Sequence, residues 1–113
     1  MNTQKPQDRA WSAPSEVTPG TGVAWQLRFM NDLTNGQMSG PEFARAWLSA
    51  RRRVLDGNER VRENFERILY DVFYLLDDYV IDPALRGPDD ITDEQLVDRV
   101  RDCLERLRGL ERK

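Results

Sequence analysis

Nine carboxylates lie between Asp71 and Asp98, and a single basic side chain, Arg86, stands among them. They are Asp71, Asp77, Asp78, Asp82, Asp89, Asp90, Asp93, Glu94 and Asp98. Nine acids against one base make this segment −8, whereas the whole chain is only −3. Its flanks are mildly basic: ten bases and eight acids precede it, and six bases and three acids follow it. Carboxylates can ligate a cation, trade protons in catalysis, or attract a basic partner. The first two readings fail on composition. The chain has no histidine, the commonest general base and metal ligand, and Cys103 is its one cysteine. No glycine-rich phosphate loop and no nucleophile beside a histidine are present. Carboxylate-bridged metal sites in helix bundles draw on inward glutamates and a Glu-x-x-His pair, and these acids project away from the apolar stripes. The sequence therefore calls for no enzyme activity, no metal and no cofactor. A segregated acidic patch instead attracts a basic partner and speeds encounter.

Such a patch needs a scaffold, and 113 residues suit one domain. No apolar run reaches the roughly 20 residues that span a bilayer, and the N-terminus lacks a signal-like apolar core. The expectation is a soluble cytoplasmic protein. Residues 1–22 are rich in Pro, Ser, Thr and Gly, which predicts a disordered or loosely docked extension, with Trp11 able to dock. From Val23 the apolar spacing turns helical and runs to a stop at Asn35-Gly36. Ser39-Gly-Pro-Glu42 reads as a capping box opening a second helix, with Phe43, Trp47, Ala50 and Val54 on one face, ending near Asp56-Gly57. A third helix is predicted from about Glu59 to Pro83, about 23 residues and 34 Å long. Its buried stripe is Val61, Phe65, Ile68, Val72, Leu76 and Tyr79. Thr92-Asp-Glu-Gln95 repeats the capping logic, and Leu96, Val100, Cys103, Leu107 and Leu110 form the last stripe. Cys103 is thus expected to be a buried structural thiol. The fold predicted for residues 23–113 is an all-α, antiparallel four-helix bundle.

At 100° per residue, Tyr70, Tyr74 and Ile81 fall on the outer side of the third helix, flanked by Asp71, Asp77 and Asp78, with Asp82 beside Asp71. Aromatic rings bordered by carboxylates suit a protein interface; packing beneath the N-terminal arm or a neighbouring helix is the other reading. The acids also divide. Asp93 and Glu94 suit the positive start of a helix, and Asp89 and Asp90 keep a loop soluble. Asp77, Asp78 and Asp82 sit where a helix dipole disfavours negative charge, which points to a demand from outside the fold. Arg51, Arg52 and Arg53 point in different directions on their helix. Arg52 or Arg53 pairing with a neighbouring helix is therefore expected, and direct nucleic-acid binding is not.

In order and spacing these motifs resemble the colicin D-type immunity proteins, among the bacterial self-protective colicin-like immunity proteins. The resemblance covers roughly residues 27–108. It rests on Ser39-Gly-Pro-Glu42-Phe43 and on Ala50-Arg51-Arg52-Arg53-Val54-Leu55. It continues through Ile68-Leu69, an aromatic and acidic third helix ending Asp82-Pro83-x-x-Arg86, the Asp93-Glu94 helix start, and Leu104–Leu107. It implies a helical bundle that binds and neutralises a cognate toxin, typically a tRNA-cutting ribonuclease domain, with carboxylates standing in for RNA phosphates in a basic cleft. The partner expected is one basic nuclease toxin domain per chain, with no membrane and no direct nucleic acid. The contact residues expected are Tyr70, Asp71, Tyr74, Asp77, Asp78, Asp82, Asp89 and Asp90. A non-inhibitory helical adaptor or regulatory subunit that binds a basic protein is the alternative.

Overall fold

The computed structural model describes residues 10–111. Within them four α-helices carry the fold: α1 (Gly22–Thr34), α2 (Gly40–Asp56), α3 (Glu63–Asp78) and α4 (Asp93–Gly109). Side chains start three of the four. The Thr21 side chain accepts from the Ala24 amide, and both predicted capping boxes form, Ser39 with Glu42 and Thr92 with Gln95. Each such cap contributes about 1 kcal/mol.

The apolar stripes meet as the spacing predicts. Val23, Met30, Phe43, Trp47, Phe65, Val72, Leu96 and Val100 have no solvent exposure. Cys103 is buried among them, and burial pushes its thiol pKa up. Long-range contacts give the helix directions. Asp71 in mid-α3 meets Arg106 near the end of α4, while Tyr79 just after α3 meets Asp93 at the start of α4. The pairs run in opposite order, so α3 and α4 are antiparallel. Two glycines permit close approach. A Cβ on Gly22 would lie 2.7 Å from Val54 Cγ2 and 2.9 Å from the Ala50 carbonyl, and one on Gly40 would strike the Tyr79 hydroxyl.

The third helix differs from its prediction at both ends. It has 16 residues, about 24 Å of length. At its start, Asn58 takes a left-handed φ of 54°, and the Glu59 carboxylate leaves its own segment to accept from the α1 amides of Gly22 and Val23 at 2.7 and 2.9 Å. Four amides at a helix start lack internal partners, so an anion there is stabilised by both hydrogen bonds and dipole. Residues 60–62 stay extended because Trp11 pairs with them: its N–H donates to the Arg60 carbonyl at 3.0 Å and its carbonyl accepts from Arg62 N–H at 2.8 Å. Trp11 is buried in the core, and Ser15 donates from its N–H and hydroxyl to Glu111. Docking thus describes the arm from Ala10 onward, while residues 1–9 of the expected extension lie outside the described chain. At its end α3 stops at Asp78, five residues before Pro83, because Tyr79 turns to extended backbone (φ −82°, ψ 124°).

Candidate functional site

The turn at Tyr79 organises everything acidic that follows. Its buried hydroxyl donates to Asp93 Oδ1 at 2.6 Å and accepts from Arg86 Nη2 at 2.7 Å. Arg86 Nη2 also lies 2.9 Å from Asp93 Oδ1, and its Nε donates to the Val80 carbonyl at 2.8 Å. The lone base of the acidic segment is therefore its internal clamp, joining the loop and the end of α3 to the start of α4. Burial first, and then Asp93, push the Tyr79 pKa from 10.0 up to about 12. In the sequence, the helix dipole alone accounts for Asp93, and no motif marks a role for Arg86. The signal available was the isolation of one arginine among nine acids.

Around this clamp the eight expected contact residues fall into different situations. Tyr70 and Tyr74, one turn apart on α3, stack with centroids 5.9 Å apart and planes at 24°. They are 39% and 59% exposed, so with respect to the described residues the strip is an open ledge. Beneath it lies Phe73, tilted against Tyr74. Arg51 of α2 lies over Phe73 at 3.9 Å and over Tyr70 at 5.8 Å, a cation–π seat. Among the described residues Arg52 and Arg53 make no ion pair, so the expected pairing is replaced by Arg51 on aromatic faces.

Asp71 is answered within the fold, accepting from Arg106 Nη1 at 2.7 Å. Asp82 sits beyond α3 and caps a short 3-10 turn, Pro83–Leu85, by accepting from Ala84 N–H at 3.0 Å. Its predicted place on the helix face is thus lost with the shorter helix. Asp90 accepts from Gly87 N–H at 2.7 Å and braces the loop. Asp77, Asp78 and Asp89 are exposed, and none has a hydrogen bond or ion pair among the described residues. Asp77 and Asp78 occupy the last turn of α3, where the helix's own carbonyls already concentrate negative charge. Arrayed this way, the ledge offers flat apolar area beside unspent carboxylates on a braced backbone. That arrangement binds cations and hydrogen-bond donors.

No helix among the described residues is long and apolar enough to cross a membrane. Searches of curated proteins and of solved structures returned no match. The family of bacterial self-protective colicin-like immunity matches residues 23–107, spanning all four helices and the acidic loop. With a match across that much of the chain, the protein belongs to the colicin-like immunity family, whose task is to bind a toxin.

Proposed function

We propose that this chain neutralises a tRNA-cutting ribonuclease toxin in the cytoplasm by one-to-one binding, seating its acidic face in the toxin's basic catalytic cleft. It does so as an inhibitor with no catalysis of its own. The observation that carries the reading is the pair Asp77 and Asp78: exposed, unpartnered, set against the local helix field and one turn from the Tyr70–Tyr74 ledge. A nuclease cleft must be basic to hold phosphates, so carboxylates at the spacing of a helix turn compete for the same cations. Asp89 and Asp82 extend the charge along the loop, and Tyr70 and Tyr74 supply the buried area that charge pairs alone do not. Asp71, half occupied by Arg106, contributes less than the helix-end pair.

The test is the double charge reversal Asp77→Lys and Asp78→Lys, measured by stopped-flow association with a nuclease toxin domain that a neighbouring gene is found to encode. Association should slow by about 10- to 100-fold at low salt and converge with wild type as salt rises. An unchanged rate at low salt removes the acidic-face mechanism. Competition between tRNA and the chain for the toxin separates cleft blockade from binding at a remote surface. Rescue of cells expressing that toxin domain separates inhibition from the adaptor alternative.

A further inference from the structure

Among the described residues two buried side-chain polar atoms have no partner: the Trp47 Nε1 donor and the Gln26 Oε1 acceptor. Trp47 has no exposure and Gln26 is 2% exposed. Buried polar groups are almost always paired, because leaving one unmade forfeits its hydration without return. Both residues line one groove of about 340 Å³ between the end of α2 and the start of α3. Arg51, Leu55 and Tyr70 line it as well. Leu55 is 58% exposed, Tyr70 39%, and Tyr74, stacked on Tyr70, 59%. Two of the four large apolar side chains exposed in the described chain thus line this groove, and a third, Tyr74, stacks beside it, so the groove opens onto the proposed partner face. Its volume is at the small end for ligand sites, room for an inserted side chain more than for a cofactor.

We propose that the groove is an anchor socket for a carboxamide of the toxin partner, a glutamine or asparagine side chain; this rests on the reading under Proposed function. A carboxamide carries an N–H donor and a carbonyl acceptor on one planar group, the complement of Gln26 Oε1 and Trp47 Nε1. A cation would leave the indole donor facing positive charge, and an anion would leave the amide acceptor facing negative charge. Two acids line the groove: Glu59 is already spent on the α1 amides, and Glu66 is exposed at the surface rather than buried with Gln26 and Trp47. Arg51 and Leu55 have long, flexible side chains, so a rotamer change at the rim admits the group to the floor. Burial of a single well-fitted side chain beside exposed aromatics is the form that energetic anchors take at interfaces.

Gln26→Met keeps the shape and removes the acceptor. Titrated calorimetrically against a catalytically inactivated toxin domain that a neighbouring gene is found to encode, it should raise Kd about tenfold. The Tm of the free variant should be unchanged or higher, since an unpaired buried group has been removed. Trp47→Phe, which deletes the donor, should weaken binding in the same direction. A Kd within about twofold of wild type for Gln26→Met, while Asp77→Lys/Asp78→Lys does weaken binding, overturns the socket and leaves the acidic-face reading standing. A lowered Tm with unchanged Kd also overturns it, because Gln26 is then satisfied inside the free fold. If the wild-type chain does not bind that toxin domain, the acidic-face reading falls, and a second measurement decides the socket. Titration of the isotope-labelled chain with N-acetylglutamine methylamide should shift the Trp47 indole N–H resonance saturably, and Gln26→Met should weaken that response. No shift overturns the socket.

Discussion

Arg86→Met tests whether the clamp that braces the acidic loop also stabilises the fold. Methionine retains most of the apolar stem and deletes the guanidinium. Three contacts are lost: the Val80 carbonyl at 2.8 Å, the Tyr79 hydroxyl at 2.7 Å and Asp93 at 2.9 Å. Hydrogen bonds from a charged donor contribute about 1.5–3 kcal/mol each when shielded. The Arg86 side chain is 17% exposed but that of Asp93 is 51% exposed, so their ion pair is held to about 1 kcal/mol or less by solvent screening. Two partly shielded bonds shared by one guanidinium, plus a weak ion pair, come to about 3 kcal/mol. For a domain of this size, about 4 °C per kcal/mol makes the Tm fall about 12 °C. Urea unfolding of Arg86→Met, Asp93→Asn and the double variant gives the pairwise term. A coupling energy of about 0.5–1 kcal/mol is expected. An Arg86→Met cost under about 0.5 kcal/mol would refute the clamp as a stabilising element.

Tyr79 makes a pH signature. Its folded pKa of about 12 exceeds the ordinary 10.0, so the neutral phenol is favoured in the fold. Its contribution is complete below about pH 10 and is lost as pH rises from about 10 to 12, amounting to about 2–3 kcal/mol at the upper end. Urea titrations across that window should show the loss in wild type and its absence in Tyr79→Phe; equal slopes would count against the assignment. Gly22→Ala drives a methyl into Val54 and the Ala50 carbonyl at the crossing of α1 and α2, and should destabilise by about 1–3 kcal/mol. Thermal unfolding measures it, and a Tm equal to that of wild type would mean the helices separate more freely than their contacts indicate.

Local signals were legible where the chemistry is local. Ser39 and Glu42 are three apart, as are Thr92 and Gln95, and each pair closes its box within one turn. The apolar stripes and the burial of Cys103 followed from a 3.6-residue period alone. The start of α3 was not legible, because Glu59 looks like a good helix residue until α1 is beside it. Nor was the role of Arg51, since three consecutive arginines on one helix are chemically alike and only the position of Phe73 on α3 selects among them. Gln26 did carry a faint signal: it lies three residues after Val23, on a helix face that is otherwise apolar.

Negative charge concentrated between Asp71 and Asp98, and Tyr70 and Tyr74 on one helix face, can be read from the chain alone. Both are properties of order and period. Which carboxylates remain available depends on how the helices pack. Asp71 is engaged by Arg106, 35 positions away, and Asp93 by Tyr79, 14 positions earlier. Pairing of that kind depends on how helices cross, and linear spacing carries no record of it. Asp77, Asp78 and Asp89 are left facing outward by the same packing that occupies their neighbours.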